Sequence, residues 1–368
     1  MKILHTISGL SINNGGPTQS VFNTVQGLRQ QGVDASILTF KPKGNQKMLF
    51  DDAFVTALPA GISRLAYSQA YKRAVASFTG DIFHTHSFWL YPVHISSITA
   101  RRRNTPCVIA PRGTFYPEAL TYSKWKKRIF MQLWFKKDLQ YATCLHATCK
   151  QELEHIRNFG LKNPVAVIPN PIIISGETTI EKQPKKQIGF IGRLHSIKNI
   201  ETLIHAFDRA KTDEYELVIM GGGDTEYVQM LKNISKKNIK FVGFLEGKAK
   251  DNIISDFSYI ILPSHSENFG MVVPEALIKG IPVIASKGTP WEELNTYHCG
   301  WWVDNDVDTL AATIETAINT PENERQQMGE NGRRLVMENY SQEVVAKKMI
   351  QLYEWILKGG EKPDFVYG

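Results

Sequence analysis

The sequence predicts an α/β protein built from two doubly wound, parallel-sheet domains, and three observations support this prediction. Short apolar runs of strand length alternate with amphipathic stretches of helix length, which is the pattern of βαβ units. The alternation stops once, at a polar, lysine-rich segment, and then resumes. A chain of 368 residues with 42% hydrophobic content is long enough for two cores. We expect the active site in the cleft between the domains, at their strand carboxyl ends.

The predicted domains span residues 1–172 and 187–345, with a linker at 173–186 and a terminal helix within 346–368. In the first domain a helix lies near PTQSVFNTVQGLRQQG, and the strand-like runs are KILHTI, ASILTF, DIFHTH, PCVIAPRG, TCLHATC and PVAVIPN. In the second, helices start at Asn199 and near TEYVQMLKNISKK, and the strand-like runs are QIGFIG, YELVIMGGG, IKFVGF, YIILPS and PVIAS. The closing stretch SQEVVAKKMIQLYEWILKGG has apolar residues at helical spacing and should lie on a neighbouring surface.

The net charge of +7 is unevenly distributed along the chain. Residues 1–176 hold 21 Lys and Arg against 8 Asp and Glu, whereas the remainder holds 22 against 28. The first half therefore meets something acidic, and nucleic acid, an anionic bilayer or a phosphorylated acceptor would each satisfy the electrostatics. The amino terminus lacks the apolar core of a signal peptide, and no run approaches the roughly 18 apolar residues of a membrane span. We expect a cytoplasmic protein with reduced, structural cysteines.

Two strand-to-helix turns in the second domain carry residues suited to a phosphorylated sugar. Arg193 and Lys198 follow the strand that ends at Gly192, where backbone amides and the helix dipole favour an anion such as a diphosphate. Glu267 and Glu275 stand eight positions apart after the strand FSYIILP. Ionised carboxylates beside a helix start suit sugar hydroxyl groups as acceptors. The alternatives are two solvated surface cations and a glutamate that only helps a helix begin.

Together these residues resemble the retaining glycosyltransferases of family 4, which have the two-domain GT-B fold and use nucleotide-diphosphate sugars. The paired signature is Gly192-Arg193-Leu194 with Lys198-Asn199, followed by E-N-F-G-x4-E-A from Glu267. The resemblance covers nearly the whole chain and includes Gly15-Gly16-Pro17, His84-Thr85-His86, Ala110 to Gly113, Val167-Ile168-Pro169-Asn170 and a closing helix that crosses back to the first domain.

The resemblance implies a role for each matched residue. Arg193 and Lys198 would hold the diphosphate and stabilise the leaving group, and Glu275 would accept from the ribose hydroxyls. Glu267 and the amides of Asn268, Phe269 and Gly270 would hold the donor sugar. From the first domain, Gly15 and Gly16 would approach the phosphates and His86 would face the donor sugar and the reaction centre. Gly243 and Phe244 would border the base, while His84 is interpreted as structural and Asp224 as a possible helix cap.

The resemblance also implies a hexosyltransferase that needs no cofactor, for which a UDP-sugar is favoured over a GDP-sugar. Its partners would be the nucleotide sugar and a glycan or lipid-linked acceptor of surface polysaccharide, lipopolysaccharide or capsule, and not nucleic acid. The pair Asp304 and Asp306 resembles a metal-binding D-x-D, but the segment after it reads as a helix capped by Asp308. We favour capping over a metal ion.

The segment TYSKWKKRIFMQLWFKKDLQ, residues 121–140, combines six basic residues with interleaved aromatic and aliphatic ones. It is either a helix in a bilayer interface or a packed helix with solvated lysines, and the charge of the first half favours the membrane, at the inner face of the plasma membrane. Arg112, at a strand end, and Lys126 and Lys127 are the predicted acceptor-side cations.

Four other functions stay open or are disfavoured on the residues. A nucleotide-sugar epimerase and a non-catalytic sugar-nucleotide sensor would both use the same donor site. A glycosidase would use Glu267 and Glu275 as its carboxylate pair, but it would leave the diphosphate turn without a purpose. A nicotinamide dehydrogenase is disfavoured because the first glycine loop lacks G-x-G-x-x-G.

Overall fold

The computed structural model describes residues 1–11, 16–42, 48–59, 66–121, 134–174, 184–212, 214–236 and 238–368. The chain divides into two compact units, Met1–Ile173 with Ser341–Gly368, and Ile174–Tyr340. Each unit is a mostly parallel sheet with helices, so the predicted α/β class is confirmed. Among these residues, no helix combines the length and the apolar character that crossing a membrane requires.

The first unit contains an eight-stranded sheet. Its strands are β1 (Lys2–Thr6), β2 (Asp34–Phe40), β3 (Val55–Leu58), β4 (Ile82–His86), β5 (Cys107–Ala110), β6 (Cys144–Ala147), β7 (Val165–Val167) and, from the end of the chain, β14 (Val366–Tyr367). Its described helices before the second unit are α1 (Gly16–Gln30), α2 (Gln69–Ser77), α3 (Tyr91–Arg103), α4 (Pro117–Thr121), α5 (Lys136–Gln140) and α6 (Lys150–Asn158).

The strand order of this sheet is β14-β7-β6-β5-β4-β1-β2-β3, and among the described strands only β14 is antiparallel to its neighbour. The order reverses between β1 and β4, which makes their carboxyl ends the topological switch point. The register sets His5 of β1 beside His84 of β4. Two imidazoles are thus adjacent in the middle of the sheet although 79 positions of chain separate them.

The second unit has a six-stranded, all-parallel sheet of order β10-β9-β8-β11-β12-β13. Its strands are β8 (Gln187–Ile191), β9 (Glu216–Met220), β10 (Ile239–Gly243), β11 (Tyr259–Leu262), β12 (Val283–Ser286) and β13 (Gly300–Val303). A 3-10 turn covers Ser196–Lys198, and the helices are α7 (Ile200–Arg209), α8 (Thr225–Ile234), α9 (Gly247–Ile254), α10 (Val272–Ile278), α11 (Glu293–Thr296), α12 (Val307–Ile318) and α13 (Glu322–Asn339). The switch point lies between β8 and β11.

The last helix, α14 (Gln342–Lys358), belongs to the first unit. Its apolar face, including Val345, Met349 and Leu352, is fully buried in the core cluster that also contains residues of α1. The predicted boundary between residues 345 and 346 is wrong by one turn, because the helix starts at the cap residue Ser341, whose hydroxyl accepts from the Val344 amide. Residues 341–345 therefore fold with the first unit.

Three short strands were not predicted from the sequence: β3, β13 and the two-residue β14. Each lies at or beside a sheet edge and pairs with few residues, so its sequence carries little of the apolar periodicity of a central strand.

Candidate active site

The loops after β8 and β11 are neighbours because both leave the sheet at the switch point of the second unit. Arg193 is exposed on the first loop, and within the described part of the chain it makes no hydrogen bond or ion pair. Lys198 lies in the 3-10 turn on the same loop. The His265 amide of the second loop donates to the Ile197 carbonyl of the first, which ties the two loops together.

Lys198 and Glu267 form a direct ion pair, and it joins the two motifs across 69 positions of sequence. Their side chains are only 19% and 12% exposed. The Ser264 hydroxyl donates to the same carboxylate oxygen of Glu267 at 2.9 Å. Glu267 is therefore fixed in orientation, and Lys198 stands at the point where an anion on the first loop would meet a hydroxyl group on the second.

Asn199, at which the sequence predicts the start of a helix, lies directly before α7. It adopts the left-handed conformation, with φ of 54°, and its side chain makes no capping hydrogen bond to α7. The side-chain amide donates to the Asn305 carbonyl, and the side-chain oxygen accepts from the Thr202 hydroxyl. Asn tolerates positive φ better than other residues with side chains, so it links the 3-10 turn to α7.

The glycine turn Gly221-Gly222-Gly223 after β9 packs directly on the Arg193 loop. A Cβ at Gly221 would lie 1.8 Å from the Gly192 carbonyl oxygen, and one at Gly223 would lie 2.1 Å from the Leu194 carbonyl oxygen. The Leu194 amide donates to the Gly222 carbonyl. Glycine is thus required for backbone contact between these loops, which fixes the path of the chain through Arg193.

The segment from Asn268 to Gly270 is anchored by Phe269. Phe269 is 5% exposed and packs edge-on against Trp291, whose indole N–H donates to the Phe269 carbonyl at 2.5 Å. Gly270 has φ of 79°. The amides of Phe269 and Gly270 find no acceptor among the described residues. The Phe269 ring is therefore structural, and the loop offers amide donors.

Glu275 lies in the first turn of α10 and is bonded by Lys250 of α9 at 2.8 Å. Both side chains are about 30% exposed. A lysine from another element therefore orients this carboxylate. Sequence reasoning missed both Lys250 and Ser264, since neither stands in the motif that its partner belongs to.

Phe244 follows β10 at the same edge of the sheet, next to the glycine turn. It is 57% exposed, although an aromatic ring normally seeks burial. Gly243 before it has φ of 74°. The ring offers an open stacking face beside Gly222, and its Cβ lies 3.7 Å from where a Gly222 Cβ would be.

The aspartates after β13 have structural contacts, but the residue that caps the next helix differs from the predicted one. The cap of α12 is Asp306, whose carboxylate accepts from the Thr309 amide at 2.9 Å, and not Asp308. Asp304 forms an ion pair with Lys287. At the other predicted cap, Asp224 accepts from the Glu226 and Tyr227 amides and begins α8, as the sequence suggests.

In the first unit, His86 ends β4 as expected, but its side chain is 1% exposed and does not face solvent. It contacts His5 and Arg112, with His5 Nδ1 2.9 Å from His86 Nε2 and Arg112 Nη2 3.1 Å from His86 Nδ1. Burial, followed by the nearby histidines and Arg112, holds the pKa of His86 well below its usual range. His86 is therefore held inside the first unit by His5 and Arg112, and its predicted role at the donor sugar stays a prediction.

A cluster of imidazoles surrounds His86: His5, His84 and His146 are each at most 1% exposed. Burial lowers the pKa of His5 and of His146 to about 3. Nitrogens of His5, His84 and His86 all lie within 4.8 Å of one another. The 2.9 Å contact between His5 and His86 is a hydrogen bond, shorter than the separation of about 3.3 Å that two ligands of a tetrahedral zinc ion would have.

Arg112 has φ of 57° at the end of β5, and its guanidinium donates to Asn170 as well as to His86. Burial lowers the pKa of Arg112 to about 10, so it stays charged at neutral pH. Gly16 is the exposed first residue of α1. Gly15, Lys126 and Lys127 lie outside the described residues.

The described end of the basic segment presents a mixed aromatic and cationic surface. Trp134 is 41% exposed and stacks on His94, and Lys136 and Lys137 next to it are exposed. Tyr141, 65% exposed, carries the Arg101 guanidinium over its ring at 5.1 Å.

Comparison with known proteins gives matches along most of the chain. Residues 15–171 match the model of the glycosyl transferase 4-like domain, and residues 176–335 match the model of glycosyl transferases group 1. One relative is the capsular polysaccharide biosynthesis glycosyltransferase CapM of Staphylococcus aureus, 28% identical over 185 residues, which are 47% of this chain and 47% of CapM. The chain spans about half the length of the first curated relatives that it matches.

Solved structures match the whole fold at low sequence identity. Sucrose-phosphate synthase from Thermosynechococcus elongatus has a TM-score of 0.76 at 19% identity, covering 98% of this chain and 100% of that one. Alr3699/HepE of Anabaena, in complex with UDP and glucose, has a TM-score of 0.73 at 18% identity, covering 96% and 99%. These likenesses establish the fold.

Proposed function

Because the chain belongs to the group 1 glycosyltransferases, we propose that it transfers a sugar from a nucleotide-diphosphate sugar to a glycan acceptor, with retention of configuration and without a metal ion. The observation that carries this proposal is the contact between Lys198 and Glu267. It brings a cation suited to a diphosphate and a carboxylate suited to a sugar to the same switch point.

The donor is assigned along this edge of the second unit. Lys198 and the exposed Arg193 take the diphosphate, and Glu267 with the amides of Asn268, Phe269 and Gly270 takes the sugar hydroxyl groups. Glu275, oriented by Lys250, accepts from the ribose. The exposed Phe244 ring, with Gly243, meets the base. A UDP-sugar is the favoured donor, and HepE, of the same fold, was solved with UDP.

In the reaction that we propose, the bond between the anomeric carbon and the diphosphate oxygen breaks as the acceptor oxygen forms its bond on the same face. The acceptor proton passes to the departing diphosphate oxygen. Arg193 and Lys198 stabilise the charge that develops on the diphosphate, which is the role that a metal ion would otherwise fill. No carboxylate nucleophile is assigned, because Glu267 is already engaged by Lys198 and Ser264.

The acceptor is assigned to cell-surface polysaccharide, and the name of the relative CapM supports this class. We propose that the acceptor is lipid-linked and that the protein works at the inner face of the plasma membrane. The exposed Trp134 and Tyr141 beside Lys136, Lys137 and Arg101 suit a bilayer interface with anionic headgroups. Arg112 is the cation assigned to the acceptor's phosphate.

A panel of UDP- and GDP-sugars, incubated with the protein and lipid-diphosphate acceptors and followed by mass spectrometry, tests this function. Transfer is expected from one donor, with release of the nucleotide diphosphate and a product of unchanged anomeric configuration. An epimerised donor without transfer would instead support the epimerase, and binding without turnover would support the sensor.

A further inference from the structure

The buried imidazoles of the first unit form one continuous hydrogen-bonded chain, which we call the histidine chain: His146, His84, Tyr353, His5 and His86. The Tyr353 hydroxyl lies 2.7 Å from His84 Nδ1 and 3.3 Å from His5 Nε2. His146 Nδ1 lies 3.2 Å from His84 Nε2, and His5 Nδ1 lies 2.9 Å from His86 Nε2. Every member is at most 1% exposed, so water cannot replace a missing partner.

The proton positions follow from the first end of this chain. His146 Nε2 lies 2.8 Å from the Ile168 carbonyl, which can only accept, so Nε2 carries the proton. A neutral His146 then accepts at Nδ1 from His84 Nε2–H, and His84 accepts at Nδ1 from the Tyr353 hydroxyl. The tyrosine oxygen is left to accept from His5 Nε2–H.

The other end of the histidine chain, at Arg112, independently requires the same donor-to-acceptor direction for its hydrogen bonds. Arg112 can only donate, so His86 Nδ1 accepts from it and His86 Nε2–H donates to His5 Nδ1. Both ends therefore require four neutral imidazoles, all protonated at Nε2. If any ring carried a second proton, two N–H or O–H donors would face each other with no acceptor between them. If the proton of His86 moved to Nδ1, that N–H would face the Arg112 guanidinium, which is also a donor.

We infer that Tyr353 is a positioning residue, which through His5 and His86 fixes the orientation of the Arg112 guanidinium at the end of β5. The last helix, α14, thus controls a cation on the other side of the sheet's switch point. Tyr353 is suited to this because a hydroxyl can donate to His84 and accept from His5 at once. Phenylalanine in its place would leave His5 Nε2–H without an acceptor and His84 Nδ1 without a donor.

The predicted effect on catalysis rests on the proposed function of Arg112. The predicted tautomers of the histidines do not depend on that function. In Tyr353→Phe, the buried His5 proton is expected to move to Nδ1 in part of the molecules, which forces His86 to donate toward Arg112 and breaks that contact. We expect mixed tautomers at His5 and His86 and an unchanged His146. The KM for the acceptor should rise about tenfold, the order expected for a weakened hydrogen bond to a charged group, with the donor KM unchanged.

The matched control is Tyr71→Phe, which removes a hydroxyl that is equally buried in the same unit and donates to the Leu38 carbonyl at 3.1 Å. It should leave all four tautomers and the acceptor KM as in the wild type. Tautomers are measured by ¹⁵N-histidine NMR at neutral pH, and KM by transfer assays.

Wild-type spectra with any of the four rings charged or protonated at Nδ1 would overturn the chain itself. Unchanged tautomers in Tyr353→Phe, or altered tautomers with an unchanged acceptor KM, would overturn the positioning role. If the wild type transfers no sugar, the proposed function fails, but the NMR experiment still shows whether the histidine chain has the predicted tautomers.

Discussion

At the scale of single residues, the proposed diphosphate site combines a paired lysine with an arginine that has no partner among the described residues. Lys198 is bound to Glu267, whereas Arg193 is exposed and has no partner among the described residues. Because an exposed, unpaired arginine contributes little to folding, its presence in a loop fixed by glycine contacts points to a ligand. Function and stability can therefore be separated at this position.

Arg193→Ala should lower the rate of sugar transfer about 100-fold, because a cation that stabilises the leaving diphosphate is lost. The free energy of unfolding should change by less than about 0.5 kcal/mol. Steady-state kinetics and urea unfolding measure the two effects. Arg209→Ala is the control, since Arg209 is also an exposed cation of the second unit but pairs with Asp308. Equal loss of activity in both variants would argue against a diphosphate role for Arg193.

At the scale of elements, the geometry of the Arg193 loop depends on the glycine turn after β9. Gly221 has φ of 157°, and a Cβ there would overlap the Gly192 carbonyl oxygen. Backbone atoms cannot move aside as the end of a flexible side chain can. The close approach of the β8 and β9 loops therefore requires glycine.

Gly221→Ala should destabilise the second unit by more than about 3 kcal/mol, because two loops must separate to admit the methyl group. Gly247→Ala is the comparison: its φ of 53° is also positive, but nothing lies within 4 Å of the added carbon, so the cost should be about 1 kcal/mol. Denaturant unfolding of both variants checks this. A similar loss of stability in both variants would mean that the positive φ, and not the contact with the neighbouring backbone, is what requires glycine at residue 221.

The sequence predicts the elements with strong apolar periodicity and the motif residues that they position. It does not predict the pairing of Lys250 with Glu275, which depends on how two helices pack, or of Ser264 with Glu267, which depends on the path of one loop. Likewise, Asn199 looks like an ordinary cap in sequence, yet the left-handed backbone sends its side chain to Asn305 and Thr202.

At the scale of the whole molecule, the histidine chain joins residues from opposite ends of the sequence. His84 and Tyr353 are 269 positions apart, and their contact depends on the register of β1 and β4 together with the docking of α14. No local pattern encodes such a contact. The structural interpretation of His84 agrees with its burial and its contact with Tyr353, whereas the role of His86 at the donor sugar stays a prediction.

The same chain should make the first unit sensitive to acid. Its histidines have a pKa below that of the unfolded chain, about 6.5, so the unfolded state binds more protons as the pH falls. The contribution of these histidines to the free energy of unfolding is fully present above about pH 6.5 and is lost as the pH falls toward 3. Between pH 7 and pH 5.5, His5 and His146 should each lower the free energy of unfolding by about 1 kcal/mol. His84 and His86, whose pKa is also lowered, add to this decrease.

Hydrogen exchange at the two pH values, corrected for intrinsic rates, measures this effect unit by unit. Protection of β4 and β5 should fall much more than protection of β8 and β11, because the histidines of the second unit, His195, His205, His265 and His298, are all exposed. An equal fall in both units would show that the buried imidazoles do not govern acid stability.

Calorimetric titration with nucleotides tests the central claim, a diphosphate site at the switch point of the second unit, most directly. UDP should bind at least about tenfold more tightly than UMP, or GDP than GMP, and this difference should shrink in Lys198→Ala because the second phosphate loses its cation. A wild-type protein that binds each diphosphate no more tightly than its monophosphate would contradict the account.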